Sequence, residues 1–436
     1  MQHRSNPLRV ALAGLTGTTI EYYDFFVYGT ASALVFGKLF FPGYDAFTAT
    51  LLSFSTFAVA FIARPVGGVV LGHFGDRIGR KAMLILTLTT MGLSTLLIGL
   101  LPGYESIGVA APILLVVFRF IQGFSLGGEY GGAVLMTVEH AQENRRGFYG
   151  SWVQLGAPVG LVLANLAFLA ISGLSGDAML TWGWRIPFVA SAVLVGVGLI
   201  VRLTITESPS FQQVKEQGAV RKLPILTVLK HHPKQVLLTA GASISVGVTF
   251  YSTTVFGLSY AVNTLGKSSQ AMLVVIVASM VLTAAGVLFF GHLSDKVGRK
   301  PVFIGGLVGL VVCAFPWIWL TGTHSVVLTL AGYLLIFIPY SATWGTLGTF
   351  LAEAFSTDVR YTGLSLGNTV GYIAGPAFAP IIATNLLKST GSYASVGWYL
   401  VIAAVLSGVA AVWTLAFKDH PVAELARTTA AQRNGD

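Results

Sequence analysis

GHFGDRIGRK at residues 72–81 returns as GHLSDKVGRK at residues 291–300. Six of the ten positions are identical, and two of the four changes, Arg77 to Lys296 and Ile78 to Val297, keep charge or shape. The copies stand 219 residues apart in a chain of 436. A basic loop repeated at half the chain length means one structural unit used twice. Both copies then face the same side of a membrane.

Composition supplies the membrane. Hydrophobic residues make up 54% of the chain and charged residues 10%, with a mean hydropathy of +0.76. A soluble domain carries about 25% charged residues, so this chain lacks the polar surface to cover itself in water. Its apolar runs are roughly 20 residues long, the length a helix needs to cross the hydrocarbon core. The alternation over about ten residues expected of an outer-membrane barrel is absent. Twelve spans are predicted, near 10–36, 47–73, 82–101, 109–137, 148–172 and 184–205, then 234–263, 270–291, 301–321, 326–352, 362–387 and 394–416. No cleavable signal peptide is expected, because residues 8–36 carry Glu21 and Asp24 mid-run.

The net charge of +9 is a topology signal, not a nucleic-acid one. Of 26 Lys and Arg, 20 fall in the tails and in loops after even-numbered spans. Loops after odd-numbered spans, with their flanks, hold Lys38, Arg185, Lys267 and Lys388; Arg64 and Arg119 lie inside spans. By the positive-inside rule both termini are cytoplasmic. Cys313 is single and reads as a small buried residue.

An even number of spans must separate the two basic loops, and 219 residues corresponds to six. The halves then share one orientation about an axis along the membrane normal. Glu139 and Arg146, seven residues apart, are matched by Glu353 and Arg360. The expectation is an all-α membrane protein of twelve transmembrane helices in two six-helix bundles. The boundaries are 1–205 for the first bundle, 206–233 for a cytoplasmic linker, 234–416 for the second bundle and 417–436 for a cytoplasmic tail. Pro209, Pro224 and Pro233 punctuate the linker, which has room for a short amphipathic helix.

Ionisable residues at bilayer depth are costly and usually functional. Five lie well inside the predicted spans: Glu21, Asp24, Arg64, Arg119 and Glu129. All are in the first half. Glu21, Asp24 and Tyr28 share one face of span 1 at i, i+3, i+7. Arg119, Gln122 and Glu129 fall within about an 80° arc of span 4. A span 1 carboxylate is therefore expected to face a span 4 guanidinium. Such a pair suits proton coupling, since drawing the arginine away to an anionic substrate makes the carboxylate easier to protonate. The bland alternative is a buried salt bridge that only holds two helices in register. Arg64, just before Pro65, either meets an anionic substrate near the cytoplasmic exit, snorkels to the headgroups, or bonds carbonyls freed at the proline.

The interiors of spans 7–12 offer hydroxyls, amides and aromatics. Ser245, Thr249 and Ser252 line up on span 7 next to Tyr251. Tyr340 and Trp344 pair at i, i+4 on span 10, as do Asn368 and Tyr372 on span 11. These groups either bound an organic substrate or pack helices, the ordinary use of Ser and Thr in membranes. In the repeated loops, Gly72, Asp76, Arg77, Gly79 and Arg80, with Asp295, Gly298 and Arg299, have the glycines for a tight turn and the charges for helix-end contacts.

The loop pattern G-x-x-x-D-R/K-x-G-R-K resembles the signature of the major facilitator superfamily. IEYYDFFVYG (20–29), ARPVGGVVLGHFGDRIGRK (63–81), RFIQGFSLGGEYGGA (119–133), RRGFYGS (145–151), WGWRIPF (182–188) and EAFSTDVRYTG (353–363) narrow the resemblance. They are similar to the metabolite:proton symporter family, which includes transporters of shikimate, 2-oxoglutarate, citrate and proline/betaine. The tail lacks the long coiled coil of some osmosensing members. The resemblance implies two bundles rocking about a central site, with the loops clasping a neighbouring helix end. It also implies a span 1 Asp and a span 4 Arg paired as in distant sugar transporters, which favours Asp24 and Arg119, with Glu21 and Glu129 as further proton sites. The expected function is proton-coupled import of a small organic acid or zwitterion across the bacterial cytoplasmic membrane. A proton antiporter is the alternative. The substrate-facing set is Arg119, Tyr28, Gln122, Arg64, Tyr251, Tyr340, Trp344, Asn368 and Tyr372. No cofactor, metal or nucleic acid is expected, nor a partner beyond substrate, protons and lipid. The chain is expected to act as a monomer. The sequence has no metal cluster, catalytic constellation or phosphate loop that would suggest an enzyme.

Overall fold

In lipid, backbone polar groups must be satisfied within the segment, so an apolar chain of this kind has helices or a closed barrel open to it. A computed structural model describes residues 7–78, 80–127, 134–135, 137–138, 141–173, 178–204, 224–355 and 359–416. Among these residues the regular elements are all helical. Span 1 runs Pro7–Ala31, continues through a π-helical turn at Ser32–Phe36 and ends at Gly37–Phe40. Spans 2, 3 and 4 are Ala46–Ile78, Arg80–Leu100 and Ala110–Ser125. Spans 5 to 8 are Arg146–Ser172, Met179–Ile200, Pro233–Thr264 and Ser269–Val297. Spans 9 to 12 are Arg299–Gly322, Val326–Glu353, Arg360–Thr390 and Ala394–Ala416. These are the twelve transmembrane helices of two six-helix bundles. A short helix, Pro224–His231, lies in the expected linker and buries Val228 against Phe355 and Val359.

Local chemistry sets the helix ends. Ser268 and Ser325 accept from Ala271 N and Leu328 N to cap spans 8 and 10. Asp45 caps span 2 by accepting from Phe47 N at 3.1 Å and Thr48 N at 3.2 Å. The Thr48 hydroxyl and N–H hold that exposed carboxyl below the usual carboxylate range. Span 11 breaks at Gly375–Phe378, where Pro376 has no N–H to continue the ladder.

Spans 1–6 pack among themselves, span 1 on spans 5 and 6 and span 4 on spans 2 and 3; span 7 packs on spans 11 and 12, and span 10 on spans 8 and 9. Glycine lets spans 2 and 4 nearly touch. A Cβ on Gly67 would lie 1.8 Å from Phe124 O, and one on Gly123 would lie 2.3 Å from Ala60 O. Outward faces stay apolar, with Val327, Val193 and Leu237 at least 67% exposed. A belt of that kind suits lipid.

The bundles meet at both ends. On the cytoplasmic side, Asp295 of span 8 accepts from Gly147 N and Phe148 N at the start of span 5, both at 2.8 Å. Arg299 binds Asp295 at 3.0 Å and Glu353 at 3.2 Å. Gly298, at φ +94°, makes the turn between them that a side chain would strain. Deeper, Gln154 and Trp344 exchange hydrogen bonds: Gln154 Nε2 donates to Trp344 O at 3.0 Å, and Trp344 Nε1 to Gln154 O at 2.7 Å. On the outer side, Asn263 donates to Ala33 O at 3.0 Å and Gln270 to Ser172 O at 2.9 Å. Lys388 sits 3.6 Å over the Phe47 ring. Contacts among the described residues thus join the bundles at both ends. Gly79 lies outside the described residues, as do the side chains of Gly72, Asp76, Arg77 and Arg80.

Candidate functional site

An aliphatic run with one Asp and one Arg must bury them where protein, not lipid, surrounds them. Asp24 on span 1, Arg119 and Gln122 on span 4 and Thr95 on span 3 are all 0% exposed. Asp24 and Arg119 do not form the direct ion pair that their facing positions suggest. Two neutral side chains bridge them instead. Arg119 Nη1 donates to Gln122 Oε1 at 2.5 Å, Gln122 Nε2 donates to Thr95 Oγ1 at 2.8 Å, and Thr95 Oγ1 donates to Asp24 Oδ2 at 3.1 Å. Asp24 Oδ1, Arg119 Nε and Arg119 Nη2 have no hydrogen-bond partner.

Aromatic rings hold the guanidinium. Arg119 Cζ lies 4.0 Å from the Tyr28 ring centroid, 4.3 Å from Phe25 and 5.0 Å from Phe57. Such contacts stabilise a desolvated cation without a counter-charge. Tyr28 is fixed by donating to Thr56 Oγ1 at 2.6 Å. Arg64 stands on the other edge of the cluster, with Cζ 4.9 Å from Phe25 and 5.3 Å from Phe61. Its place among these rings is not that of a side chain snorkelling to headgroups.

Between the bundles lies a nearly filled gap of about 10 Å³, lined by Tyr22, Phe26, Ala157, Gly247, Phe250, Tyr251, Tyr340, Trp344 and Tyr372, room for one water at most. Its walls are mostly aromatic. Tyr340 and Trp344 are stacked at 14°, and Tyr22 meets Trp344 at 82°. Tyr251 links the cavity to the charges, since its ring lies 5.4 Å from Phe57, 5.4 Å from Phe61 and 6.1 Å from Phe25. A recess of about 280 Å³ at the cytoplasmic end, lined by Arg299, Lys300 and Glu353 among others, is remote from the buried charges.

The structure thus brings Asp24, Arg119, Gln122, Tyr28 and Arg64 into one cluster, and Tyr251, Tyr340, Trp344 and Tyr372 onto one cavity. Glu21 is half-buried and does not line that cavity. Asn368 is 9% exposed, also outside the lining, with Oδ1 unpartnered. Ser245, Thr249 and Ser252 are buried away from it. Glu129 lies outside the described residues.

Comparison with known proteins then identifies the framework. The model of the Major Facilitator Superfamily matches residues 14–378. This chain belongs to the Major Facilitator Superfamily. The inner membrane metabolite transport protein YhjE of Escherichia coli is 42% identical, over 93% of each chain. The shikimate transporter of the same organism is 38% identical, over 94% of each. Among solved structures, a D-xylose-proton symporter superposes with a TM-score of 0.73 at 21% identity, covering 94% of this chain and 97% of its own. The chain is accordingly a metabolite transporter of the superfamily, a multi-pass protein of the cytoplasmic (inner) membrane.

Within that framework the sequence concealed three groups. Thr95 is one threonine among many in apolar spans, and nothing local marks it. Gln154 and Phe25 acquire meaning only from what other helices bring to them, the Trp344 backbone and two guanidinium groups. An amide in an otherwise apolar run was the one available signal for Gln154.

Proposed function

We propose that this transporter is a proton-coupled symporter that imports a small organic acid or zwitterion by alternating access, as a monomer and without a cofactor. The carrying observation is that Asp24 and Arg119 are fully buried, unpaired with each other, and each left with unpartnered polar atoms. An ion so placed is costly. A carboxyl can relieve that cost by taking a proton, whereas a guanidinium cannot lose one and must find an anion. Arg119 keeps Nε and Nη2 free for a carboxylate, and the aromatic-lined gap beyond Tyr251, only about 10 Å³ in this conformation, would take the body of a compact organic molecule once the bundles part. Proton and substrate charge then balance in one site.

The contacts at both ends fit an occluded state between inward and outward openings. Opening inward requires the Asp295 clasp and the Gln154–Trp344 pair to part; opening outward requires loss of the Asn263, Gln270 and Lys388 contacts. The likeness to transporters of shikimate and proline/betaine and to a D-xylose-proton symporter supports the substrate class and the coupling.

The test is uptake by purified protein in liposomes from a panel of shikimate, dicarboxylates, betaine, proline and aromatic acids under an imposed pH gradient. Accumulation driven by an inward proton gradient is expected for one member. Gradient-driven loss from preloaded vesicles would instead mean antiport. Asp24→Asn should abolish accumulation more than exchange; equal loss of both in folded protein removes Asp24 as the proton carrier.

A further inference from the structure

Thr95 sits where two signals meet. Its hydroxyl has one proton and two lone pairs. Three groups lie within reach: Asp24 Oδ2 at 3.1 Å, Met91 O at 3.0 Å and Gln122 Nε2 at 2.8 Å. The amide nitrogen can only donate, so Thr95 Oγ1 accepts there. The single hydroxyl proton must then choose between the Asp24 carboxyl and the Met91 carbonyl.

The orientation of Gln122 is itself determined. Arg119 is a donor only, so the amide oxygen must face Nη1 and the NH2 must face Thr95. Reversing the amide would set donor against donor at 2.5 Å. Every donor from Arg119 through Gln122 and Thr95 therefore points the same way, and the chain ends on Asp24. The charged group facing Asp24 is Arg119; its neutral neighbours are Thr95 on span 3, Ser191 on span 6 and the adjacent Tyr23, whose hydroxyl donates to Pro187 O.

From this geometry we infer that Thr95 is the positioning residue that couples the protonation of Asp24 to Arg119, by turning its hydroxyl between Asp24 and the Met91 carbonyl. With Asp24 ionised, the charge-assisted bond wins and the chain is tied down at both ends. When Asp24 takes a proton it stops competing for the hydroxyl. Thr95 turns to Met91 O, its ordinary i−4 partner, and presents to the new carboxyl O–H the lone pair that does not serve Gln122. The chain has then lost the negative charge on which it ended. Gln122 and Arg119 lose that anchor, and the guanidinium becomes available to a substrate carboxylate. No covalent bond changes; one proton arrives on Asp24 and one hydroxyl rotates. This inference rests on Asp24 as the proton carrier.

Thr95→Val keeps the shape and removes the hydroxyl; Thr95→Ser keeps the hydroxyl. The probe is whichever panel compound is accumulated by the parent protein, followed by exchange at equal pH, by gradient-driven accumulation, and by the pH profile of exchange. Thr95→Val should cut accumulation by about tenfold or more relative to its own exchange rate, the worth of a hydrogen bond to a charged group, and flatten the pH profile. Thr95→Ser should restore both. Parental accumulation and pH profile in Thr95→Val overturn the coupling role, and so does an equal fall in exchange and accumulation that Thr95→Ser does not rescue. Asp24→Asn, run alongside, separates the two readings. If it still accumulates, the proton-carrier reading fails; if it does not while Thr95→Val does, the Thr95 inference alone fails.

Discussion

Asp295→Asn tests the cytoplasmic clasp quantitatively. The Asp295 carboxylate accepts two backbone N–H groups at 2.8 Å, one on each oxygen, and a guanidinium at 3.0 Å. Asparagine retains one acceptor oxygen and sets an NH2 against the other donor. One hydrogen bond to a charged group is lost, worth about 1.5–3 kcal/mol. At 1.4 kcal/mol per decade, that shifts the closed-to-open balance of the inner gate by about tenfold to a hundredfold. Thr349 is a suitable reporter, being 1% exposed on span 10, with its Cγ2 only 2.7 Å from where a Cβ on Gly150 would lie. In a Cys313→Ser background, Thr349→Cys should react with a maleimide in proportion to the time the inner gate is open. Labelling in Asp295→Asn should be at least about tenfold faster than in the parent, following the same conversion. Equal labelling rates, with both proteins folded, would refute the clasp as a determinant of closure.

Other outcomes follow from the packing. Gly67→Ala places a Cβ 1.8 Å from Phe124 O, and such overpacking costs about 1–3 kcal/mol or more. Its melting temperature in detergent should fall, whereas Gly173→Ala, with nothing within 4 Å, should melt like the parent; equal melting of all three would contradict the close approach of spans 2 and 4. Lys388→Gln removes the cation from the Phe47 ring. At about 0.5–1 kcal/mol for an exposed cation–π contact, externally added maleimide should label Tyr340→Cys, again in Cys313→Ser, roughly two- to fivefold faster. Unchanged labelling would mean that the contact does not restrain the outer gate.

Much of the fold was legible because the bilayer imposes one rule on every span. Runs of apolar residues gave the helices, the paired basic loops gave the relation of the halves, and lysine and arginine gave the sides. Less visible were the π-helical turns at Ser32–Phe36, Ser252–Phe256 and Tyr260–Thr264, since one extra residue in a turn leaves no compositional mark. The cluster around Arg119 was partly legible for the reason that ionisable residues stand out in lipid-length runs. What joins Asp24 to Arg119 was not, because Thr95 resembles every other membrane threonine until a third helix is laid beside it. Asn368 and the span 7 hydroxyls had the spacing of a lining without its placement: helical periodicity fixes a face but not the neighbour that the face meets.

The exchanged hydrogen bonds of Gln154 and Trp344 bear on how the inner gate divides its labour. Both are neutral and buried when the bundles meet. On opening, water would take over the same donors and acceptors, so each bond contributes only about 0.5–1.5 kcal/mol net. Their geometry is more exacting than their energy. Each side chain must reach the other's backbone at once, and sliding span 5 by one residue against span 10 breaks both. The pair therefore fixes the register in which the two bundles close, while the charged contacts around Asp295 govern how long they remain closed. A transporter that returns to one alignment after each cycle needs both functions, and here they reside in different atoms.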